Sequence, residues 1–223
     1  MNIAQNTAAR HLLALAVFAS PFAVAAADLP GWYVGANIGQ SLAKIDNTRI
    51  TGSLLGNGFS SATIDDDDRD TGYKFFGGYR FNQYFSMEGG YFDLGKFGFT
   101  ATTVPAGTFS GSIGLKGVNL DAIGRLPITD KFSVFGRLGI NNAQARDQFR
   151  STGAVLAGDS NPRKRDTNIK FGAGLQYDFT EALGVRAEVE RYRINDAVGN
   201  KGDVDLVSFG LVYRFGGVML GAR

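Results

Sequence analysis

Residues 207–215, near the end of the chain, alternate between apolar residues and mostly small or polar ones. In an extended strand, one face would carry Val207, Phe209, Leu211, Tyr213 and Phe215. The other face would carry Ser208, Gly210, Val212 and Arg214. Successive side chains of a β-strand point to opposite faces, so such a strand separates two different environments. Similar runs recur along the chain, and this period of two constrains the fold to β-structure.

Alternation along the whole chain predicts eight strands of about ten residues or slightly more, the length that a tilted strand needs to cross hydrocarbon. They cover residues 31–44, 71–81, 84–96, 112–126, 131–145, 168–178, 183–194 and 204–215. Three short turns are predicted at 82–83, 127–130 and 179–182. Longer polar loops are predicted at 45–70, 97–111, 146–167 and 195–203. This even, alternating pattern predicts an up-and-down barrel with both chain ends on the short-turn side, which is periplasmic in an outer membrane.

The first residues of the chain have the features of a secretory signal. Arg10 supplies a positive charge, residues 12–18 are apolar, and Ala25-Ala26-Ala27 forms a small-residue cleavage pattern. The apolar stretch is shorter than the about 20 residues that a membrane-spanning helix needs. We therefore predict a cleaved signal peptide over 1–27 and a single barrel domain over 28–223.

The residue types on the two strand faces distinguish a membrane barrel from a soluble one. A soluble barrel of the lipocalin type would turn its apolar face inward, around a ligand. Here that face is rich in large aromatic residues, which would crowd a small lumen, and aromatics also gather near the short turns like an interfacial girdle. The girdle residues are Trp32, Tyr84, Phe85, Phe132, Tyr177, Tyr213 and Phe215. We predict an all-β, eight-stranded antiparallel transmembrane β-barrel in the cell outer membrane of a Gram-negative bacterium.

The polar face of the predicted strands carries many charges. Its charged members are Lys74, Arg80, Glu88, Asp121, Arg125, Arg137, Lys170, Arg186, Glu188, Glu190 and Arg214. An eight-stranded barrel is only wide enough for its own side chains, and an isolated charge there loses most of its solvation. By depth along the strands, the side chains expected to pair near one level are Glu88, Arg137, Arg186 and Glu188, with Asp121 close by. Such a lumen is either a polar plug or a gated ion path, and the narrow bore favours the plug.

Several short motifs occur in an order that resembles a known family. They are Trp32-Tyr33-Val34-Gly35-Ala36, Phe76-Gly77-Gly78-Tyr79, Glu88 followed by Gly90-Tyr91, Gly117-Val118-Asn119-Leu120, Pro127-Ile128-Thr129-Asp130, Arg137-Leu138-Gly139 and Tyr213-Arg214-Phe215-Gly216. The chain thereby resembles the eight-stranded transmembrane domain of outer-membrane protein A and related small surface barrels. The resemblance implies an interior network of Glu and Arg that blocks or gates the lumen, formed here by Glu88, Arg137, Arg186 and Glu188.

One position departs from the pattern that the resemblance implies. Ile123 stands where an interior lysine is expected. The pairing scheme should therefore differ from that of the family, with Arg186 or Arg137 serving both carboxylates.

Residue types outside the lumen give weaker indications of chemistry. The single histidine, His11, lies in the predicted signal, and cysteine is absent, so His-based proton transfer and thiol chemistry have no candidates in the predicted mature chain. A site built on Ser, Asp and Tyr stays open, but no enzyme is predicted. Residues 65–70 are mostly Asp and could hold a divalent cation, although a solvated loop is the favoured interpretation. Arg163-Lys164-Arg165 would contact lipopolysaccharide phosphates or simply keep a loop soluble.

The sequence therefore predicts a structural or surface-interaction barrel with a largely plugged lumen, and the alternative is a small channel for ions or small solutes. Expected partners are outer-membrane lipid, lipopolysaccharide and host or surface ligands that meet the loops. The near balance of 23 basic and 21 acidic side chains gives no reason to expect nucleic-acid binding. We expect a monomer with no cofactor, no metal and no catalytic residues.

Overall fold

A computed structural model of the protein describes residues 30–44, 47–155, 163–195 and 201–215. Nearly all of them belong to antiparallel strands. The elements are β1 (Gly31–Ala43), α1 (Asn47–Gly56), β2 (Ser61–Asp67), β3 (Arg69–Arg80), β4 (Phe85–Val104), β5 (Gly107–Pro127), β6 (Phe132–Gly153), β7 (Arg163–Asp178), β8 (Leu183–Asn195) and β9 (Lys201–Arg214). The predicted signal peptide, 1–27, lies outside the described residues. Among the described residues, no helix is both long and apolar enough to cross a bilayer.

The strands form a closed ring. Each pairs with its neighbours in antiparallel fashion in the order β3-β1-β9-β8-β7-β6-β5, and β4 closes the ring by pairing with both β5 and β3. β2 pairs with the distal part of β4, where Asp67 lies opposite Gly98, while β3 pairs with its proximal part. β2 and β3 therefore occupy one position in the ring, which is an eight-position barrel, as predicted.

Side-chain hydrogen bonds close the three short turns. Asn82 accepts hydrogen bonds from the backbone N–H groups of Tyr84 at 2.8 Å and Phe85 at 2.9 Å. Thr129 and Thr180 accept from backbone N–H groups at the equivalent positions of the other two turns. Asn and Thr favour turns because their side chains replace a backbone partner in this way. The structure thus confirms the short turns that the sequence predicts.

The outer surface near these turns is a band of apolar side chains. Along β1, Trp32 and Ile38 are 65% and 63% exposed, whereas Tyr33 and Asn37 point inward and are buried. Aromatic side chains meet edge to face around the short-turn rim, with ring centroids 5.1 Å apart for Trp32 and Tyr79. A continuous apolar belt with an aromatic rim suits hydrocarbon and its interface with water.

A row of polar side chains ends the apolar band on the side away from the short turns. On the outward faces of successive strands these are Gln40, Thr71, Asp93, Lys116, Asn142, Thr167, Arg191 and Asp205. β4, β5, β6 and β7 continue well beyond this row and form a curved extension. The prediction of loops at 97–111 and 146–167 is therefore wrong, because β4, β5, β6 and β7 occupy most of these residues. The predicted loop at 45–70 contains α1 and β2. β8 ends at Asn195 and β9 begins at Lys201, so the connection predicted at 195–203 is shorter than expected.

Side-chain polarity reverses along the extended strands, and this explains the missed assignment. Within the apolar band of β6, Leu138 points outward and Arg137 inward. Beyond the band, Ala145 points inward and Arg146 outward. The strand leaves hydrocarbon for water, so the apolar face changes sides, and a sequence test for an outward apolar face detects only its first half.

A cluster of apolar side chains fills much of the interior beyond the charged positions. Its buried members are Phe92, Leu94, Phe97, Leu115, Ala143, Ala145, Tyr192, Ile194, Val204 and Leu206, which we call the apolar layer. A bulge at Gly95, whose φ is +81°, brings both Leu94 and Phe97 to the inside although they are three residues apart. A non-glycine residue would be strained at that φ, and its Cβ would collide with the Asp70 carboxylate.

Candidate functional site

Eight charged side chains fill the middle of the lumen, and at most 1% of any of them is exposed. Four are basic and four are acidic. They are Lys74, Arg137, Lys170 and Arg186 together with Glu88, Asp121, Glu188 and Glu190, and we call them the charged layer. Buried charges are tolerated when each is paired and hydrogen-bonded, and this set carries no net formal charge.

Arg137, on β6, is the centre of the charged layer. Its Nη2 atom lies 3.0 Å from Oε2 of Glu88 and 2.7 Å from Oε2 of Glu188. Its Nη1 atom lies 2.9 Å from Oδ2 of Asp121 and 3.1 Å from Oε1 of Glu190. Glu88 and Asp121 are directly opposite one another on β4 and β5, so Arg137 also offsets their mutual repulsion.

Two lysines complete the pairing on the side of the apolar layer. Nζ of Lys74 contacts Glu188 and lies 2.8 Å from Oε2 of Glu190. Nζ of Lys170 contacts Glu190 and lies 2.9 Å from Oδ2 of Asp121. Each lysine therefore bridges two carboxylates.

Arg186 pairs with Glu88 on the short-turn side of the layer. Its Nη1 atom lies 2.6 Å from Oε1 of Glu88, which also accepts a hydrogen bond from the Tyr33 hydroxyl at 3.0 Å. The Arg186 guanidinium lies 4.9 Å from the ring centroid of Phe76 and 4.8 Å from that of Phe135. Rings on which a cation stacks fill space without adding charge, so this part of the lumen is packed as well as neutral.

All five predicted network residues lie together in the charged layer. Arg137 contacts both Glu88 and Glu188, which is one of the two sharing schemes expected from Ile123. Ile123 itself is buried and lies opposite Arg137 in the strand register. The other members, Lys74, Lys170 and Glu190, were predicted on the inward face but not as part of the network.

Inward-facing glycines make room for these long side chains. A Cβ on Gly139 would lie 2.2 Å from the Asp121 carboxylate, and one on Gly172 would lie 3.0 Å from Cγ of Glu190. Gly139 lies opposite both Asp121 and Lys170 in the register. A glycine across from a charged residue on the inward face is therefore the sequence signal that would have identified Lys170 as a member.

A second, smaller polar group lies between the charged layer and the short turns. Asp178 contacts Arg214. The Oδ2 atom of Asp178 also lies 3.9 Å from Nη1 of Arg125. Gln176 connects this group to the charged layer, because its side-chain oxygen accepts hydrogen bonds from both Arg125 and Arg186 at 3.0 Å.

The acidic run at 65–70 does not form a recognisable metal site. Asp65 and Asp67 lie on β2, and Asp66 accepts a hydrogen bond from Asn47 at 2.6 Å. Within the described part of the chain, no group of three or more His, Cys, Asp or Glu side chains is arranged to hold a metal ion. The run is mostly strand, because β2 ends at Asp67 and β3 begins at Arg69, and it is not the solvated loop that the sequence favoured.

Comparisons with known proteins agree with this architecture. The OmpA-like transmembrane domain family matches residues 27–218. Outer membrane protein A of Shigella flexneri is 31% identical over 212 residues, which are 92% of this chain and 55% of that protein. The protein of the same name from Klebsiella pneumoniae is 31% identical over 192 residues, 83% of this chain and 51% of that protein. The chain thus spans about half the length of these relatives.

A solved barrel supports the fold independently. The crystal structure of Neisserial surface protein A superposes with a TM-score of 0.50 at 17% identity, covering 83% of this chain and 97% of that one. An identity this low supports the fold alone. Together with the family match over most of the sequence, it leads to one conclusion: the chain belongs to the OmpA-like family of bacterial outer-membrane β-barrels.

Proposed function

We propose that the protein is a structural and surface-interaction barrel whose lumen is closed. The observation that carries this proposal is the charged layer, in which every side chain contacts an opposite charge and none is exposed to water. A conducting path needs hydrated groups along an open bore, whereas the interior of an eight-stranded barrel is filled by its side chains.

The apolar layer adds a second block in series. Phe92 and Tyr192 are fully buried, with ring centroids 4.7 Å apart, and the Tyr192 hydroxyl donates a hydrogen bond to Glu190 at 3.3 Å. The two layers are therefore in direct contact. An ion crossing the barrel would have to separate salt bridges and then shed its water among aliphatic and aromatic groups, and both steps are costly.

Planar-bilayer recordings test the closed lumen. We expect no large, steady conductance from the unmutated barrel. Glu88→Ala should loosen the charged layer but leave the apolar layer in place, so its conductance should rise only in brief, irregular events. Glu88→Ala combined with Phe92→Ala should conduct more than either single variant. Large, steady conductance from the unmutated protein would overturn the proposal.

The alternative function is a small gated channel, and the several contacts of Arg137 favour it. Because this guanidinium reaches four carboxylates, it can exchange partners without losing all of them. Under this alternative, the unmutated barrel conducts steadily and Glu88→Gln changes the preference for cations over anions. The same recordings, made in asymmetric salt, distinguish the two functions.

We further propose that the extension of β4–β7 lies on the cell surface and that the apolar band contacts outer-membrane lipid and lipopolysaccharide. The extension offers strand faces beyond the bilayer for host or surface ligands. Its inward side carries the aromatic residues Phe99, Phe109 and Phe149, with centroids 5.6 and 5.7 Å apart in sequence order. The barrel closes without a partner strand, which supports a monomer, and native mass spectrometry of the detergent-solubilised protein should detect single copies.

A further inference from the structure

Five basic side chains lie together on the outer face of the barrel, directly beyond the apolar band. They are Lys96, Lys116, Arg146, Arg163 and Arg165, and we call them the basic patch. Neighbouring residues along these strands, such as Leu115 and Ala145, are buried on the inside. The predicted surface run at 163–165 thus divides between the faces: Lys164 points inward, and Arg163 and Arg165 belong to the patch.

Strand register arranges the patch in two rows. In the first, Lys96 on β4 lies opposite Gly114 on β5, which lies opposite Arg146 on β6 and then Arg163 on β7. The second row, one step nearer the membrane, contains Lys116 and Arg165 with an uncharged glutamine between them.

Gly114 leaves an open floor in the middle of the first row. A Cβ added there would meet only Cγ of Lys96, at 3.7 Å. Lys96 and Arg146 stand on either side of this floor, with backbones about 10 Å apart across two strand spacings. A tetrahedral anion therefore has room to contact both side chains.

Charge is not balanced within the patch. Arg146 lies directly opposite Arg163, and like charges in that position destabilise a sheet. None of the five basic side chains forms an ion pair with another described residue. Two carboxylates lie near the patch and already have hydrogen-bond partners. Asp93, opposite Lys116 in the register, accepts from the Tyr73 hydroxyl at 3.2 Å and from the Gly95 N–H at 3.0 Å. Asp70 accepts from the backbone N–H groups of Thr71 at 2.7 Å and Lys96 at 2.6 Å.

The remaining carboxylates of these strands point inward or lie further from the membrane. Asp147 and Asp166 point to the inside of the barrel. Asp67 lies opposite Gly98, one row further from the membrane. Arg146 and Arg163 therefore have no carboxylate opposite them in the described strand register, at the level where the bilayer meets water.

We propose that the basic patch binds the phosphate groups of an outer-leaflet glycolipid, as in the phosphorylated lipid A part of lipopolysaccharide. Arg and Lys form short, charge-assisted hydrogen bonds to phosphate, and the planar guanidinium of Arg matches two phosphate oxygens at once. A lipid phosphate is held at this depth by its acyl chains, which lie against the apolar band. The assignment rests on the proposed orientation, in which the extension faces the cell exterior.

The test compares two triple variants of the full barrel. Lys96→Gln/Arg146→Gln/Arg163→Gln removes three patch charges, and Lys44→Gln/Arg69→Gln/Arg193→Gln removes three charges from the other side of the barrel beyond the apolar band. Each barrel is titrated with bisphosphorylated lipid A in detergent, and bound lipid is counted by native mass spectrometry. We expect at least tenfold weaker binding for the patch variant, because each lost charge-assisted contact is worth about a factor of ten or more. The control should stay within twofold of the unmutated barrel.

Two further probes identify the source of the phosphate. Lipid A stripped of its phosphates should bind as weakly as the patch variant binds intact lipid A. Inorganic phosphate at an equal phosphate concentration should fail to displace lipid A; complete displacement would overturn the lipid assignment in favour of a soluble anion. Equal losses in the two triple variants, or no loss in the patch variant, would overturn the site itself.

Conductance recordings distinguish a failure of this proposal from a failure of the closed-lumen proposal. The patch variant should behave in planar bilayers like the unmutated barrel, because its substitutions lie on the outer face. A large, steady current from both proteins would contradict the closed lumen and leave the lipid result interpretable.

Discussion

Arg137 is the side chain on which the charged layer depends most, since it contacts carboxylates from β4, β5 and β8. Arg137→Met would leave four buried carboxylates facing only Lys74, Lys170 and Arg186. We expect the free energy of unfolding to fall by about 3–5 kcal/mol, because removing one partner of a buried ion pair leaves an uncompensated charge. Urea unfolding of the barrel in lipid vesicles measures this loss.

Arg191 provides the matched control. It forms a bidentate pair with Asp205, with both distances 2.6 Å, but on the outer face and in contact with solvent. Water screens such a pair, so Arg191→Met should shift the urea midpoint much less than Arg137→Met. Equal shifts would mean that burial does not determine the importance of these pairs.

Substitution of Ile123 tests the charge balance of the layer by adding a charge instead of removing one. It lies opposite Arg137, and the family resemblance implies a lysine there. Ile123→Lys would add a fifth cation to four balanced pairs, so we expect a lower unfolding free energy than for Ile123→Met, a volume-conserving change that usually costs less than about 1.5 kcal/mol. Adding Lys74→Met to Ile123→Lys should recover part of the loss, since it restores the balance. A stable Ile123→Lys single variant would contradict this account.

Strand alternation alone predicts which charges point inward, and all eight members of the charged layer appear in that predicted set. It does not predict which of them pair. Pairing depends on the stagger between strands and on the reach of long side chains, as when Arg137 on β6 contacts Glu88 on β4 across the lumen. Neither quantity is visible in one strand's sequence.

Strand bounds were also predicted only in part: those within the apolar band were predicted correctly, and those beyond it were not. β1 was predicted at 31–44 and observed at Gly31–Ala43, because a single lipid-facing pattern covers its length. β6 was predicted to end at 145 and continues to Gly153, because its apolar side chains turn inward once the strand leaves the membrane. The family resemblance could not supply these extensions, since its motifs all lie in or near the apolar band.

Charged substitutions test which face of a strand contacts lipid, because they change the unfolding free energy differently on the two faces. Leu138, on the outer face of β6, is 63% exposed and lies in the middle of the apolar band. Leu138→Lys should lower the unfolding free energy by about 2–4 kcal/mol, the cost of a basic residue near the bilayer midplane. Urea unfolding in vesicles of defined thickness checks the value, and a thinner bilayer should reduce it.

Leu175 and Gln176 form a matched pair for the same comparison on β7. Leu175 faces outward, whereas Gln176 is fully buried and hydrogen-bonded to Arg125 and Arg186. Leu175→Glu should destabilise the barrel more than Gln176→Glu, whose carboxylate would keep both arginine partners. Equal costs would show that the assignment of the two faces is wrong.

The molecule as a whole works between three environments. The apolar band faces hydrocarbon, the charged and apolar layers are proposed to close the lumen, and the extension enters water at the end opposite the short turns. This asymmetry connects the two proposals: the closed lumen would prevent conduction, and the basic patch would bind the headgroups of one leaflet. Both depend on which end of the barrel is outside the cell.

Orientation can be measured directly because the chain has no cysteine. Ala106, in the turn between β4 and β5 at the tip of the extension, and Gln83, in the turn between β3 and β4, are both exposed at opposite ends. On intact cells, a membrane-impermeant maleimide should label Ala106→Cys, while Gln83→Cys should react only after the outer membrane is permeabilised. The short turns should be periplasmic because the barrel inserts from that side and the polar extension must cross the membrane once. Labelling of Gln83→Cys alone on intact cells would reverse the orientation and place the basic patch at the inner leaflet.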